Sequence, residues 1–343
     1  MKINLKIRDY IIRRLLLLIP VILGISLFSF ILSYNAGDPI SLYISPKTPQ
    51  WMIEEIRKEH HLDDSLHIQY LFYLKNLLQG NLGYSRSQWM PVIECIKIFF
   101  PATLELAVVA LLMSLIIGIP LGIVSATRKD RISDHFSRIF CLSGVSMPSF
   151  WLALLLQYIF FYVFKKQGLP YLPGGGRHSI NIHISQITGF LTLDSILTGN
   201  FRGFMDVAWH IIMPAFIVSM WPLASISRIM RSSMLEVLRQ DYIINARSKG
   251  LSERVVIYKH ALKNAMIPTI TAVGYCIGYL LTGSVMVETV FSWPGLGRWA
   301  VHAIESIDIA AIVAFTMLTA LIFLFTNLFV DIIYAWIDPR VRY

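Results

Sequence analysis

Six apolar runs, each long enough to cross a bilayer, limit what this chain can fold into more than any other feature. They cover about 11–34, 100–126, 137–164, 207–230, 266–288 and 308–336. A transmembrane helix needs roughly 20 predominantly apolar residues. Charge within the runs is sparse, and backbone in lipid must satisfy its own hydrogen bonds, as a helix does. The expected fold is an all-α membrane protein with six spans. Composition agrees: 55% of the 343 residues are hydrophobic and 15% charged, where soluble domains carry about a quarter charged residues.

The first run has a basic flank (Lys2, Lys6, Arg8, Arg13, Arg14). Its apolar stretch, Ile11 to Ser33, outruns a signal-peptide core, and no small-x-small cleavage site follows. An uncleaved first span is expected. The N-terminus, the 126–138 loop, the 228–263 loop and the end of the chain together hold 19 Lys and Arg against 8 Asp and Glu. The other segments hold 11 basic and 13 acidic residues. Basic residues stay cytoplasmic, so both termini are expected inside, consistent with an even number of spans. The net charge of +9 thus follows topology and is no nucleic-acid footprint. Cys95, Cys141 and Cys276 lie far apart and form no CxxC, which argues against a disulfide framework or thiolate metal site.

Three divisions are expected: residues 1–35 as N-terminal segment and first span, 36–97 as an external helical cap, and 98–343 as a five-span core. That core contains a cytoplasmic loop, 231–263. In the cap, Thr48-Pro49 suits a helix start, and WMIEEIRKEHHL is amphipathic. A second helix is expected over Gln69–Gln79, ended by Gly80, with a turn at GNLGYS. The cap either covers the outer mouth or contacts a delivery protein. Glu105 is an ionisable residue near a membrane boundary, with functional and structural roles both open. Gly118, Pro120 and Gly122 permit a kink or close packing, as do Gly274 and Gly278 at small-xxx-small spacing. Residues 165–206 are expected as irregular loop with a short helix. ETVFSWPGLGRWA, Glu288 to Ala300, cannot be a regular span; it is either an aromatic anchor or a loop lining the outer opening.

His60, His61, His67, His178 and His183 lie in the two external segments, but no Cys or carboxylate completes a metal constellation. No GxxxxGK[ST], GxSxG or HExxH is present. The chain is therefore expected to bind no ATP and to catalyse no reaction.

One polar stretch remains, DYIINARSKGLSERVVIYKHALKNAMIP, Asp241 to Pro268. It is longer than a reversal of the chain requires. Its pattern is helix, a turn at Gly250 that a Cβ would resist, then a second helix returning to the membrane. A basic amphipathic stretch can also simply bind anionic lipid. The pattern suits a membrane subunit that plugs a short helix into a soluble partner.

DYIxxARxKGLSxxxxxxxHALxNAxIP resembles the cytoplasmic loop of permease subunits of bacterial binding-protein-dependent ABC importers, within the peptide/nickel branch. Ala246, Gly250 and Leu262 fall on the loop signature. Ile244 and Asn245 stand where a leading Glu and first Ala are usual, a departure normal for the peptide branch. QYLFYLKNLLQGNLGYS, PATLELA, GIPLGIVSA, SMPSFWLALLL, RSSMLEVLRQDY, ETVFSWPGLGRW and NLFVDIIYAWIDPRVRY resemble the same branch, in order, over essentially the whole chain. LPYLPGGGRHSINIHIS matches poorly.

The resemblance implies a type I ABC importer transmembrane domain in the bacterial plasma (inner) membrane. It implies a homologous second permease, two ATP-binding subunits carrying ATP and Mg, and an extracytoplasmic peptide-binding protein, with no cofactor bound by this chain. It implies a coupling helix at about 236–249 in a groove of one ATPase. There Asp241, Arg247 and Lys249 give polar contacts, Tyr242 and Ala246 packing, and Gly250 the turn. Within ETVFSWPGLGRWA, the reading as a loop at the outer opening gives an outer-mouth or binding-protein contact at Trp293, Pro294, Gly295 and Arg298. The implied cargo is dipeptides or oligopeptides. The alternatives are nickel, a metal chelate or glutathione in the same machine, and a stand-alone secondary carrier.

Overall fold

A computed structural model describes residues 2–35, 40, 44, 47–59, 62–282 and 284–337. His60, His61 and the closing DPRVRY lie outside the described residues.

The chain begins with α1 (Lys2–Asn35). Two cap helices follow, α2 (Gln50–Glu59) and α3 (Leu66–Leu78). The amides of Met52 and Ile53 bond to the Pro49 carbonyl, so Pro49 is the capping residue and the helix opens at Gln50, one residue beyond the expected start. α3 stops before Gly80, which has φ +78, and a hairpin of β1 (Tyr84–Ser85) and β2 (Met90–Pro91) fills the expected turn. α3 packs on the C-terminal part of α1: Phe30 lies 5.5 and 5.7 Å from the rings of Tyr70 and Tyr73.

The core is built on α4 (Val92–Thr127) and α9 (Phe201–Val237), the most extensively packed pair. Gly122 explains how closely they approach. A Cβ there would lie 2.7 Å from the Ser227 carbonyl oxygen and from Met230 Cβ. Between them in sequence come α5 (Ile132–Ser146), α6 (Ser149–Leu156), a π-helical stretch Gln157–Val163, α7 (Phe164–Lys166) and α8 (Leu191–Leu197). α8 is the short helix expected in the 165–206 loop.

One span differs from expectation. Residues 137–164 are not one straight helix: α5 and the helix from Ser149 to Lys166 meet at 105°. Met147 precedes Pro148, which disfavours the α region, and both residues are extended, with ψ 135 and 132. Among the described residues, five helices are long and apolar enough to cross a membrane, and the bent pair makes six.

Beyond α9 come α10 (Asp241–Ser248), α11 (Glu253–Val255), a π-helical stretch Val256–Ala261 and α12 (Leu262–Thr282). The fifth span thus ends at Thr282, not 288. α13 (Val285–Val290) and α14 (Leu296–Glu305) are short, as the two tryptophans, proline and glycines required, and α15 (Ile309–Ile337) closes the chain. Gly274 faces Val330 and Gly278 faces Thr326 and Phe323, so the small-xxx-small face does pack a helix, α15.

Candidate functional site

α10 is a short helix held on the core by one face. Ile243 and Ala246, three residues apart, share a face and are 0% and 7% exposed. They join a cluster with Met230, Met234, Val256 and Ala261. The opposite face carries Asp241, Tyr242, Ile244, Asn245, Arg247, Ser248 and Lys249, all exposed.

The helix ends at Gly250, φ +75. The Leu251 amide bonds to the Ala246 carbonyl and the Gly250 amide to that of Arg247. This is a Schellman cap, whose left-handed position favours glycine. Arg247 forms a bidentate pair with Glu253 at 2.9 and 3.3 Å across the turn. The pair is exposed, so it sets geometry more than stability. Asn264 Nδ2 donates to Tyr242 Oη at 2.6 Å, fixing α10 to α12.

Two expectations change here. The helix does not run over 236–249: α9 ends at Val237, and Gln240 is extended (ψ 147) before α10 begins. Ala246 packs inward, against the chain's own core, and Ile244 is the exposed aliphatic residue on the outer face. The Ile243/Ala246 spacing held the signal for that orientation.

At the other end of α4, buried carboxylates fasten irregular segments to helices. Glu288 accepts from Ser284 Oγ (2.6 Å), Thr103 Oγ1 (2.9 Å) and the amides of Gly297 (2.7 Å) and Arg298 (3.1 Å). The Leu296 amide bonds to Thr103 Oγ1. The otherwise orphaned first amides of α14 are thus satisfied beside a negative group, as a helix N-terminus favours. Burial pushes the Glu288 carboxyl above the usual range, and the four donors offset this only in part.

Trp293 is buried, with Nε1 donating to the Ala102 carbonyl. Gly295 is buried, Pro294 half-buried and Arg298 exposed. Of the four residues expected at the outer mouth, Arg298 alone is fully exposed. Its Nη1 donates to the Ser292 carbonyl at 2.8 Å.

Glu105 is structural. It takes an ion pair from Arg177 and hydrogen bonds from the amide and hydroxyl of Thr192, both 2.7 Å. Arg177 also donates to the Gly189 carbonyl and lies 5.8 Å from the Trp293 ring. The Gly174–Gly176 run fits against the same segment: a Cβ at Gly175 would sit 2.6 Å from the Phe291 carbonyl oxygen. Asp194 accepts from Ile187, Thr188 and Gly189. Burial raises this carboxyl too, but the Thr188 hydroxyl and the three amides prevail and hold it below the usual range. Between the π-helical stretch, the 171–181 loop and α9 opens a cavity of about 1130 Å³, walled by Tyr158, Phe161, Tyr171 and Trp209 with Lys165 and His210. Among the described residues, no group of three His, Cys, Asp or Glu could hold a metal ion.

Residues 118–343 match the family described as "Binding-protein-dependent transport system inner membrane component". The chain belongs to this family of ABC importer permeases. Residues 7–107 match its companion, "Binding-prot-dependent transport system membrane comp, N-term". The permease is 42% identical over 335 residues to the dipeptide transport system permease protein DppB of Alkalihalophilus pseudofirmus, covering 97% of this chain and 99% of that one. It is 41% identical over 326 residues to the probable D,D-dipeptide transport system permease protein DdpB of Escherichia coli K12, covering 94% of each. DppB of the same strain is 38% identical over 344 residues, with 98% and 99% covered. The permease therefore has the type I ABC importer transmembrane fold and is a multi-pass protein of the plasma membrane. It is a transport component rather than an enzyme.

Proposed function

We propose that this permease forms half of a translocation pathway for dipeptides or oligopeptides, delivered by an extracytoplasmic binding protein. A homologous permease supplies the other half. Two ATP-binding subunits, which carry the ATP and Mg, drive it from the cytoplasmic side, where both termini lie. The observation that carries the coupling role is α10. Its inner face is fixed to the core by Ile243 and Ala246, and its outer face offers Tyr242 and Ile244 ringed by Asp241, Asn245 and Lys249. An apolar centre with a polar rim suits a protein groove, and the rigid mounting lets a push on α10 reach α9 and α12. The names of the relatives support the peptide cargo.

The test is uptake of a labelled dipeptide into proteoliposomes holding the purified complex, with ATP inside and binding protein outside. Uptake that needs both agrees with the proposal. Uptake without ATP makes the chain a secondary carrier and overturns it.

A further inference from the structure

At the α10 end of the core, between α5 and α9, lies a second cavity of about 460 Å³. Arg138, Arg228 and Arg231 line it, with Ser125, Ser137 and Ser227. The three serines are 1%, 3% and 5% exposed, so the wall is a polar interior. The local charge does not balance. Asp134 is the carboxylate at this wall; it binds Arg231 at 3.0 Å and approaches Arg138 at 3.4 Å. Arg228 makes no ion pair or hydrogen bond among the described residues. Three guanidinium groups, Arg138 and Arg228 exposed and Arg231 half-buried, thus face one carboxylate, an excess of two positive charges around one opening.

Gathered around one cavity, such an excess focuses a positive potential that draws anions. Guanidinium forks and hydroxyls are the donors that bind oxyanions. The rim is apolar and exposed: Leu142, Val145 and Trp221 are 68%, 44% and 38% exposed. Positive charge and apolar surface around one opening match a group with an anionic head and an acyl tail.

We propose that this cavity is an oxyanion site. The rim favours a lipid phosphate, and the other source of the same chemistry is a free carboxylate. The site requires neither the cargo nor the coupling role assigned above.

The cavity contains its own reporter. Cys141 lines it, while Cys95 and Cys276 are 0% and 1% exposed. The experiment compares an anionic with a cationic methanethiosulfonate reagent on the purified complex in nanodiscs. Each rate is divided by that reagent's rate with a small free thiol. Cys141→Ser gives the background, and Ile132→Cys in that background reports an exposed position at the same end. In phosphatidylcholine discs, the normalised rate at Cys141 is expected to favour the anionic reagent by about tenfold, the order expected of a focused positive field. Arg228→Gln should lower that preference several-fold.

Phosphatidylglycerol discs should slow the anionic reagent at Cys141 more than at Ile132→Cys, which assigns the site to lipid phosphate. Slowing by a millimolar dipeptide alone assigns it to a carboxylate. Slowing by neither overturns the proposal. So does a normalised preference of one or less, or a Cys141 closed to both reagents. None of these readouts depends on ATP or on uptake, so they fail separately from the transport assay.

Discussion

Two carboxylates show how burial and donors compete at a single residue, and their pH dependences have opposite signs. Glu288 is raised, so the native chain binds its proton more tightly than the unfolded chain does. Its stabilising contribution is complete below the unfolded value and is lost as pH rises through the folded one. Asp194 is lowered, so its contribution is present above the unfolded value and is lost as pH falls through the folded one. Unfolding temperatures of the complex across acid to neutral pH check both. Glu288→Gln, fixed neutral, should flatten the decline on the alkaline side. Asp194→Asn should cost about 1–3 kcal/mol at neutral pH, the worth of hydrogen bonds to a charged acceptor, and remove the acid-side loss. Gly250 and Gly122 form a second contrast. Gly250→Val meets no neighbour but must adopt φ +75, costing about 1–2 kcal/mol locally. It should leave the membrane core folded and weaken ATPase co-purification. Gly122→Val strikes the backbone of α9 and should lower the unfolding temperature of the core itself.

Among elements, α10 separates mounting from docking. Ala246→Asp buries a carboxylate in an apolar cluster, which is costly without donors or a cation, and should lower the unfolding temperature of the permease. Ile244→Asp changes an exposed residue, so the unfolding temperature should hold while dipeptide-stimulated ATP hydrolysis falls. Equal loss of stability in both variants would contradict the two-faced reading of the helix. The same element shows where sequence legibility stops. Hydropathy located the spans because apolar length is additive along a chain. It could not locate the bend at Met147-Pro148, which depends on ψ, although the proline was in view. Nothing in the composition of 236–249 marked the break at Gln240, since Leu238, Arg239 and Gln240 are all compatible with a helix. Gly250 was legible because a left-handed cap restricts residue type. The direction of Ala246 was legible only through its spacing from Ile243, because a small residue taken alone suits an inward face and a docking face equally well.

Across the whole molecule, the end of α4 opposite α10 is fastened by charge rather than by apolar packing alone. Glu105, Asp194, Glu288 and Asp308 are 3%, 0%, 0% and 0% exposed, and each binds a segment distant or irregular in the chain. Asp308 takes the hydroxyls of Ser85 and Ser87, joining the hairpin to α15. From sequence, only Glu105 was visible as unusual; its partner Arg177 lay 72 positions away in a segment that resembles the peptide branch poorly. That segment is nevertheless shaped to this fold, with Gly175 seated on Phe291 and Arg177 placed between Glu105 and the Trp293 ring. Arg177 therefore ties three regions together: the outer part of α4, the 171–197 segment and the turn between α13 and α14. Arg177→Ala leaves Glu105 buried with Thr192 as its remaining partner, which should cost about 3–5 kcal/mol, the penalty for breaking a buried pair from one side. The loss should be local in its consequence. Limited proteolysis should newly cut within 171–190, while the mounting of α10, at the far end of α4 and α9, keeps ATPase subunits bound. Glu105→Gln combined with Arg177→Ala removes the orphaned charge and should recover much of the unfolding temperature. If the double variant is no more stable than Arg177→Ala, the uncompensated carboxylate is not what the pair protects against, and the cation's contact with Trp293 becomes the contribution to measure.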